Sequence, residues 1–366
     1  MMDIPPVERP TPTLEPMPDG PLARRLATLD TGYFAAVMAT GIVSVALQLL
    51  SQTLLARIFL WVTGAIFVVL VVAYVARLVR YPRRVFEDLR VPGTAVSYFT
   101  IVAGFDVLAV ALVAAGLWPV ALALGLAAFA VWLPLTYGLL CSVVLVGNRP
   151  QLRDINGIWL VWVVGTQSIA VLAATLSSVA PLEWAQGILN VGSVLFWGVG
   201  VVLYFILVVI IFLRLFLIET TAREMGPAYW ILMGATAISV RAAAGILTAS
   251  AAAPTQLLSE MRPFIVGLSV VMWSFGSWFI PMLVLFGVWR YFVRRYSWRY
   301  EAKLWSVVFP LGMYTVASVT LGRAIGFGFL LDLASVWVWI AAAAWAIVGV
   351  LFVLSIVLPP RRPATS

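Results

Sequence analysis

The chain has 366 residues, of which 63% are hydrophobic and 10% charged, with 16 tryptophans and a formal charge of +8. That leaves too little polar surface to cover a soluble globule of this size, so the chain belongs in a bilayer. Its arginines fall in clusters between apolar runs and not along one soluble face, which argues against a nucleic-acid partner and for a role in membrane orientation.

Residues 1–30 are proline-rich and mixed in charge, without an apolar stretch and small-residue cleavage site, and read as a flexible cytoplasmic tail. Beyond them, ten runs of about 20 nearly uncharged residues are expected to be transmembrane helices. Their approximate bounds are 31–51, 55–76, 94–116, 119–143, 156–177, 188–213, 227–248, 264–289, 304–325 and 333–358, followed by a short cytoplasmic tail, 359–366. Helix-start and turn residues mark several ends: Pro92 and Gly93, Trp118 and Pro119, Gly226 and Pro227, Pro359 and Pro360.

With both termini inside, the inner segments collect every lysine and arginine except Arg57, Arg262 and Arg323, which fall outside, and Arg241, which lies within the seventh span. The opposite orientation would invert that bias. Short outer connections make the chain read as five antiparallel helical hairpins in series.

The two sets of helices differ in polarity. The first span, TGYFAAVMATGIVSVALQLL from Thr31, carries Thr40, Gly41 and Ser44; the third carries Asp106, the fifth Thr166, Gln167 and Ser168, the seventh Arg241, and the ninth Gly312, Thr315 and Ser318. The second and tenth are almost wholly apolar. A polar group facing lipid is costly, so the odd helices are expected inside and the even ones around them. Small and hydroxyl residues also serve simple helix packing, and the residues alone leave a conduit and a solid bundle both open.

Asp106 and Arg241 are the charges within the spans. At 1.5 Å per residue they lie roughly 18 and 21 Å from the starts of their helices, at similar depth. An ion pair, attraction of anions by Arg241 at the outer mouth, and snorkelling of Arg241 to the headgroups are all open. Asp106 also offers a proton-carrying group, although the chain has no histidine. Thr40, Ser44, Thr166, Gln167 and Gly312 are candidate pore-lining residues, with interhelical packing and hydrogen bonding as the alternative. Cys141, the single cysteine, reads as a small core residue. No convergent set of acids, bases, nucleophiles or metal ligands is evident, so neither an enzyme nor a cofactor or metal site is expected, and no phosphate loop supports ATP-driven pumping.

Three stretches, TGYFAAVMATGIVSVA at the first span, RVPGTAVSYF before the third and LWSVVFPLGMYTVAS in the ninth, resemble the tellurite-resistance/dicarboxylate transporter family. That family includes bacterial tellurite-resistance permeases, fungal malate and sulfite transporters and plant slow anion channels. The resemblance implies a ring of five hairpins, with odd helices forming a central pore and even helices an outer ring, in a homotrimer at the cell membrane. It implies small anions as substrates, through a channel or a proton-coupled carrier; a receptor or scaffold without transport is the remote alternative. It also implies that Phe309 plugs the pore. The chain departs from the bacterial pattern just after it, with Pro310 in place of an expected glycine, while Gly312 leaves space beside the ring.

Overall fold

The computed structural model describes residues 18–252 and 256–357. Helices dominate, and no strand occurs among the described residues. The ten principal helices are α1 Ala35–Leu49, α2 Thr53–Arg80, α3 Phe99–Ala114, α4 Trp118–Val144, α5 Val161–Ser177, α6 Glu183–Leu217, α7 Ile231–Ala252, α8 Gln256–Val288, α9 Trp305–Ile325 and α10 Gly328–Val357. From α2 onward each is long and apolar enough to cross a membrane, counting the short 3-10 turns that precede α3, α5, α7 and α9. α1, at 15 residues, is the shortest of the ten and falls well short of its predicted span, 31–51. It starts late because residues 31–34 form a turn in which the Gly32 N–H donates to Asp30 Oδ1 at 2.8 Å. Conversely α6 runs 35 residues, about 52 Å, so it must tilt or project beyond a hydrocarbon layer of about 30 Å.

Each even helix packs on the odd helix before it. The odd helices also pack on one another in sequence, and α9 returns to α1, so their contacts run in a closed cycle. Burial follows the same division: 89% of the most apolar stretch is buried in the α5 and α7 spans, against 11% in α2 and α10. Helices that keep polar groups are thereby covered by protein, and those that lack them face outward. Cys141 is an exception to the sequence reading. It is exposed on the outer surface of α4, where a small apolar thiol meets lipid at no polar cost.

Tryptophans on the outer helices tie the two layers together. Trp132 of α4 donates its indole N–H to Thr166 at 3.0 Å, Trp345 of α10 to Thr40 at 2.9 Å and Trp273 of α8 to Ser318 at 2.9 Å. Trp197 of α6 donates to the Ser239 carbonyl at 3.1 Å. In a dry layer an indole N–H without an acceptor is expensive, so these pairs set the rotation of each outer helix against its inner partner.

Three outer helices also end alike. Arg77 at the end of α2 pairs with Asp88 at 2.7 Å and donates to the Tyr98 hydroxyl at 3.0 Å. Arg214 near the end of α6 pairs with Glu224 at 3.6 Å and donates to the Tyr229 hydroxyl at 2.8 Å. Arg290, just past α8, pairs with Glu301 at 3.3 Å. All three arginines are buried, and each holds the loop that leads into the next inner helix. Hydrogen bonds from the backbone and hydroxyl of Thr221 keep the Glu224 carboxyl below its usual range, with a smaller contribution from Arg214.

The expected tails are partly outside the described residues: 1–17 and 358–366. Within the expected N-terminal tail, Pro21–Ala27 forms a short helix, and Arg77 reaches the Ala27 carbonyl at 3.4 Å. Tyr74 donates to the Asp30 carbonyl at 2.6 Å, so this stretch is fastened to α2.

Candidate functional site: an axial cavity and vestibule

A small cavity lies where the five odd helices meet. Ile42 of α1, Asp106 and Val107 of α3, Ser168 of α5, Ile238 and Arg241 of α7, and Met313 and Val316 of α9 all line it. Its volume is about 20 Å³, room for roughly one water. One turn further along α5, α7 and α9 a vestibule of about 440 Å³ opens, lined by Thr175 of α5 and Ser178 just past its end, Arg241 and Thr248 of α7, and Thr320 and Arg323 of α9. Arg241 borders both spaces.

The helical repeat explains the alignment. On α9 the residues Met313, Val316, Thr320 and Arg323 follow one another at three- and four-residue steps, which keeps them on one face. Phe309, four residues before Met313, continues that stripe about 6 Å beyond the cavity, at the end opposite the vestibule. It is 2% exposed. Pro310 beside it is accommodated by Gly234 of α7, where an added Cβ would come within 2.8 Å of the proline ring.

Asp106 and Arg241 share the cavity without forming the ion pair that the sequence left open. Asp106 Oδ2 accepts from the Ser168 hydroxyl at 2.6 Å, and its Oδ1 has no protein partner. Arg241 Nη2 donates to Thr175 at 3.4 Å, and its Nε has none. A carboxyl group and a guanidinium, each incompletely bonded, therefore border the same small space. Such groups demand water or a ligand, because unmet hydrogen bonds in a dry interior are costly.

Five sequence candidates lie elsewhere. Thr40 accepts from Trp345 and donates to the Ala36 carbonyl at 2.7 Å; Ser44 donates to the Ala56 carbonyl of α2 at 2.7 Å. Thr166 is held by Trp132, and Gln167 donates to the Trp197 carbonyl of α6 at 3.1 Å. These four side chains point to the outer helices, and none borders the cavity or vestibule. Gly312 does not border them either: a Cβ there would come within 2.7 Å of Ile42, so the glycine lets α9 approach α1 closely. The four polar side chains make the interhelical hydrogen bonds that were the alternative to a pore lining. Thr40→Val is accordingly expected to cost about 0.6–1.7 kcal/mol through the orphaned Trp345 N–H. A thermal melt in detergent would register that loss, while anion selectivity in liposomes stays at the wild-type value.

Sequence reasoning overlooked Thr175, read Arg323 only as an outer-side basic residue, and did not separate Ser168 from Thr166 and Gln167 beside it. A helical wheel of α9 would have placed Arg323 on the Phe309 face, ten and seven residues from Met313 and Val316 respectively.

The sequence model described as voltage-dependent anion channel matches residues 28–353. An uncharacterized membrane protein of Mycobacterium tuberculosis is 43% identical over 134 residues, which is 37% of this chain and 66% of that protein, just under two thirds of its length. Two uncharacterized transporters of Methanocaldococcus jannaschii are 22% identical over 314 residues (82% of this chain, 87% of the relative) and 23% identical over 328 residues (86% and 90%). A match that begins before α1 and runs into α10 takes in every helix of the closed cycle, and the chain belongs to the voltage-dependent anion channel family.

Proposed function

We propose that the protein moves small anions across the cell membrane along the axis of its five odd helices. The vestibule receives the anion, Arg241 draws it to the cavity, and Phe309 closes the path at the far end. The observation that carries this reading is Arg241, a guanidinium without a carboxylate partner bordering both spaces. A desolvated positive charge on a narrow apolar path lowers the barrier for anions and raises it for cations.

The family membership and the archaeal relatives' description as transporters support the same reading. C4-dicarboxylates such as malate, sulfite or tellurite, and inorganic anions are the candidate substrates. The arginine-rich ends face the cytoplasm, as do both termini, and the working assembly is a homotrimer with one pathway per subunit. The test is flux of chloride, nitrate, malate and sulfite in proteoliposomes. Uptake of at least one of them above the empty-liposome rate is expected, and none for any anion would overturn the proposal.

A second reading, a proton-coupled carrier, draws on Asp106, whose Oδ1 is unpartnered beside the cavity. Acceleration by a proton gradient, abolished in Asp106→Asn, would select it over the passive channel.

A further inference from the structure

At the arginine-rich end of the bundle the outer helices α8 and α10 part around a groove of about 330 Å³. Leu283 and Val284 of α8 form one wall and Ala344, Ile347 and Leu351 of α10 the other, with Val307 of the inner helix α9 also exposed to it. The end of the groove is different in character. Arg290 and Arg299 border it, and the rings of Tyr291 and Trp298 stack there with centroids 4.2 Å apart.

The two arginines are not equivalent. Arg290 is buried, pairs with Glu301 at 3.3 Å and donates to the carbonyls of Ala222 and Arg223 at 3.1 and 3.2 Å. Arg299 is exposed, forms no ion pair among the described residues, and no carboxylate lines the groove. Arg294, Arg295 and Lys303 surround it in sequence.

We propose that this groove is a binding site for a phospholipid with an anionic headgroup, its acyl chain between α8 and α10 and its phosphate on Arg299. An apolar slot open to the bilayer fills with hydrocarbon, and the charge at its end decides which lipid is held. Basic pockets between transmembrane helices favour anionic headgroups, and stacked aromatic rings sit naturally at headgroup depth. A second copy of the chain is the poorer occupant, since it would bury the unpaired Arg299 in an apolar interface. The inference is independent of the transport reading.

Gly287 supplies a specific probe, because it lines the groove and a Cβ added there meets nothing within 4 Å. Gly287→Phe therefore starts a ring from an open position on the groove and obstructs the slot, and Arg299→Gln removes the headgroup charge alone. The full chain, purified in detergent and mixed with equal phosphatidylglycerol and phosphatidylcholine, is analysed by native mass spectrometry. The wild type is expected to retain phosphatidylglycerol preferentially. Arg299→Gln should lower that preference about fivefold, and Gly287→Phe should abolish retention of both lipids at unchanged melting temperature. Equal retention of the two lipids by the wild type would overturn the proposal. So would a Gly287→Phe variant that keeps its lipid but loses its oligomer, which would assign the groove to contacts between copies.

Discussion

Phe309→Ala is expected to raise basal anion flux by a factor of ten or more. Phe309 continues the stripe formed by Met313 and Val316 past the cavity floor, and it is almost fully buried. An aromatic ring across a narrow apolar path removes the water through which an ion would keep part of its hydration. Cutting the side chain back to a methyl group restores that space, and a barrier lowered by only about 1.4 kcal/mol gives a tenfold faster rate. The same change removes a large buried side chain, at a cost of about 3–5 kcal/mol of stability. Phe309→Leu, which retains more of the volume, separates the two effects. Flux should rise in the order wild type, leucine, alanine. If both variants fold and carry anions at the wild-type rate, Phe309 does not close the path.

Arg241→Gln is expected to lower anion flux at least tenfold and to weaken discrimination against cations, with the fold retained. Retention follows from its surroundings: its hydrogen bond to Thr175 is long, at 3.4 Å, and no carboxylate lies within ion-pair distance. A neutral side chain there sheds a desolvation cost and strands no buried partner. Loss of flux follows because no other charge of this sign borders the small cavity. Had Asp106 and Arg241 formed a buried pair, neutralising either would cost about 3–5 kcal/mol. The structure predicts instead that Asp106→Asn folds normally, since asparagine can still accept from Ser168. Reversal-potential measurements in planar bilayers read the selectivity directly. Wild-type currents and selectivity in Arg241→Gln would remove Arg241 from the pathway.

Much of the architecture was legible because the bilayer makes hydropathy informative. A lipid-facing helix must be apolar around its circumference, as α2 and α10 are, so Thr40, Asp106, Gln167 and Arg241 had to lie on covered helices. That argument identifies a helix, not a face. An inner helix such as α5 is shielded from lipid on all sides, whether it meets the axis, a neighbour or an outer helix. Thr166, Gln167 and Ser168 therefore look alike in sequence, yet Trp132 holds the first, the α6 backbone the second, and Ser168 turns to Asp106.

The arginines show the same limit from the other direction. Counted as topological signals, Arg77, Arg214 and Arg290 are interchangeable with their neighbours. In the fold they are buried anchors, each bonded to an acidic residue ten or eleven positions later. That spacing is visible in the sequence and is absent after Arg83 and Arg294, but only the fold shows that it closes a buried contact.

From the sequence alone follow the membrane class, the ten helices, their alternating polarity and the depth shared by Asp106 and Arg241, because each depends on composition and rise along a single segment. The tertiary structure alone decided that those two charges border one cavity without pairing, and that the hydroxyls of Thr40 and Thr166 serve tryptophans of the outer layer. It also decided that Arg323 joins Arg241 at the vestibule. Those outcomes depend on the rotation of each helix against its neighbours, which is set by packing and by the indole hydrogen bonds between layers.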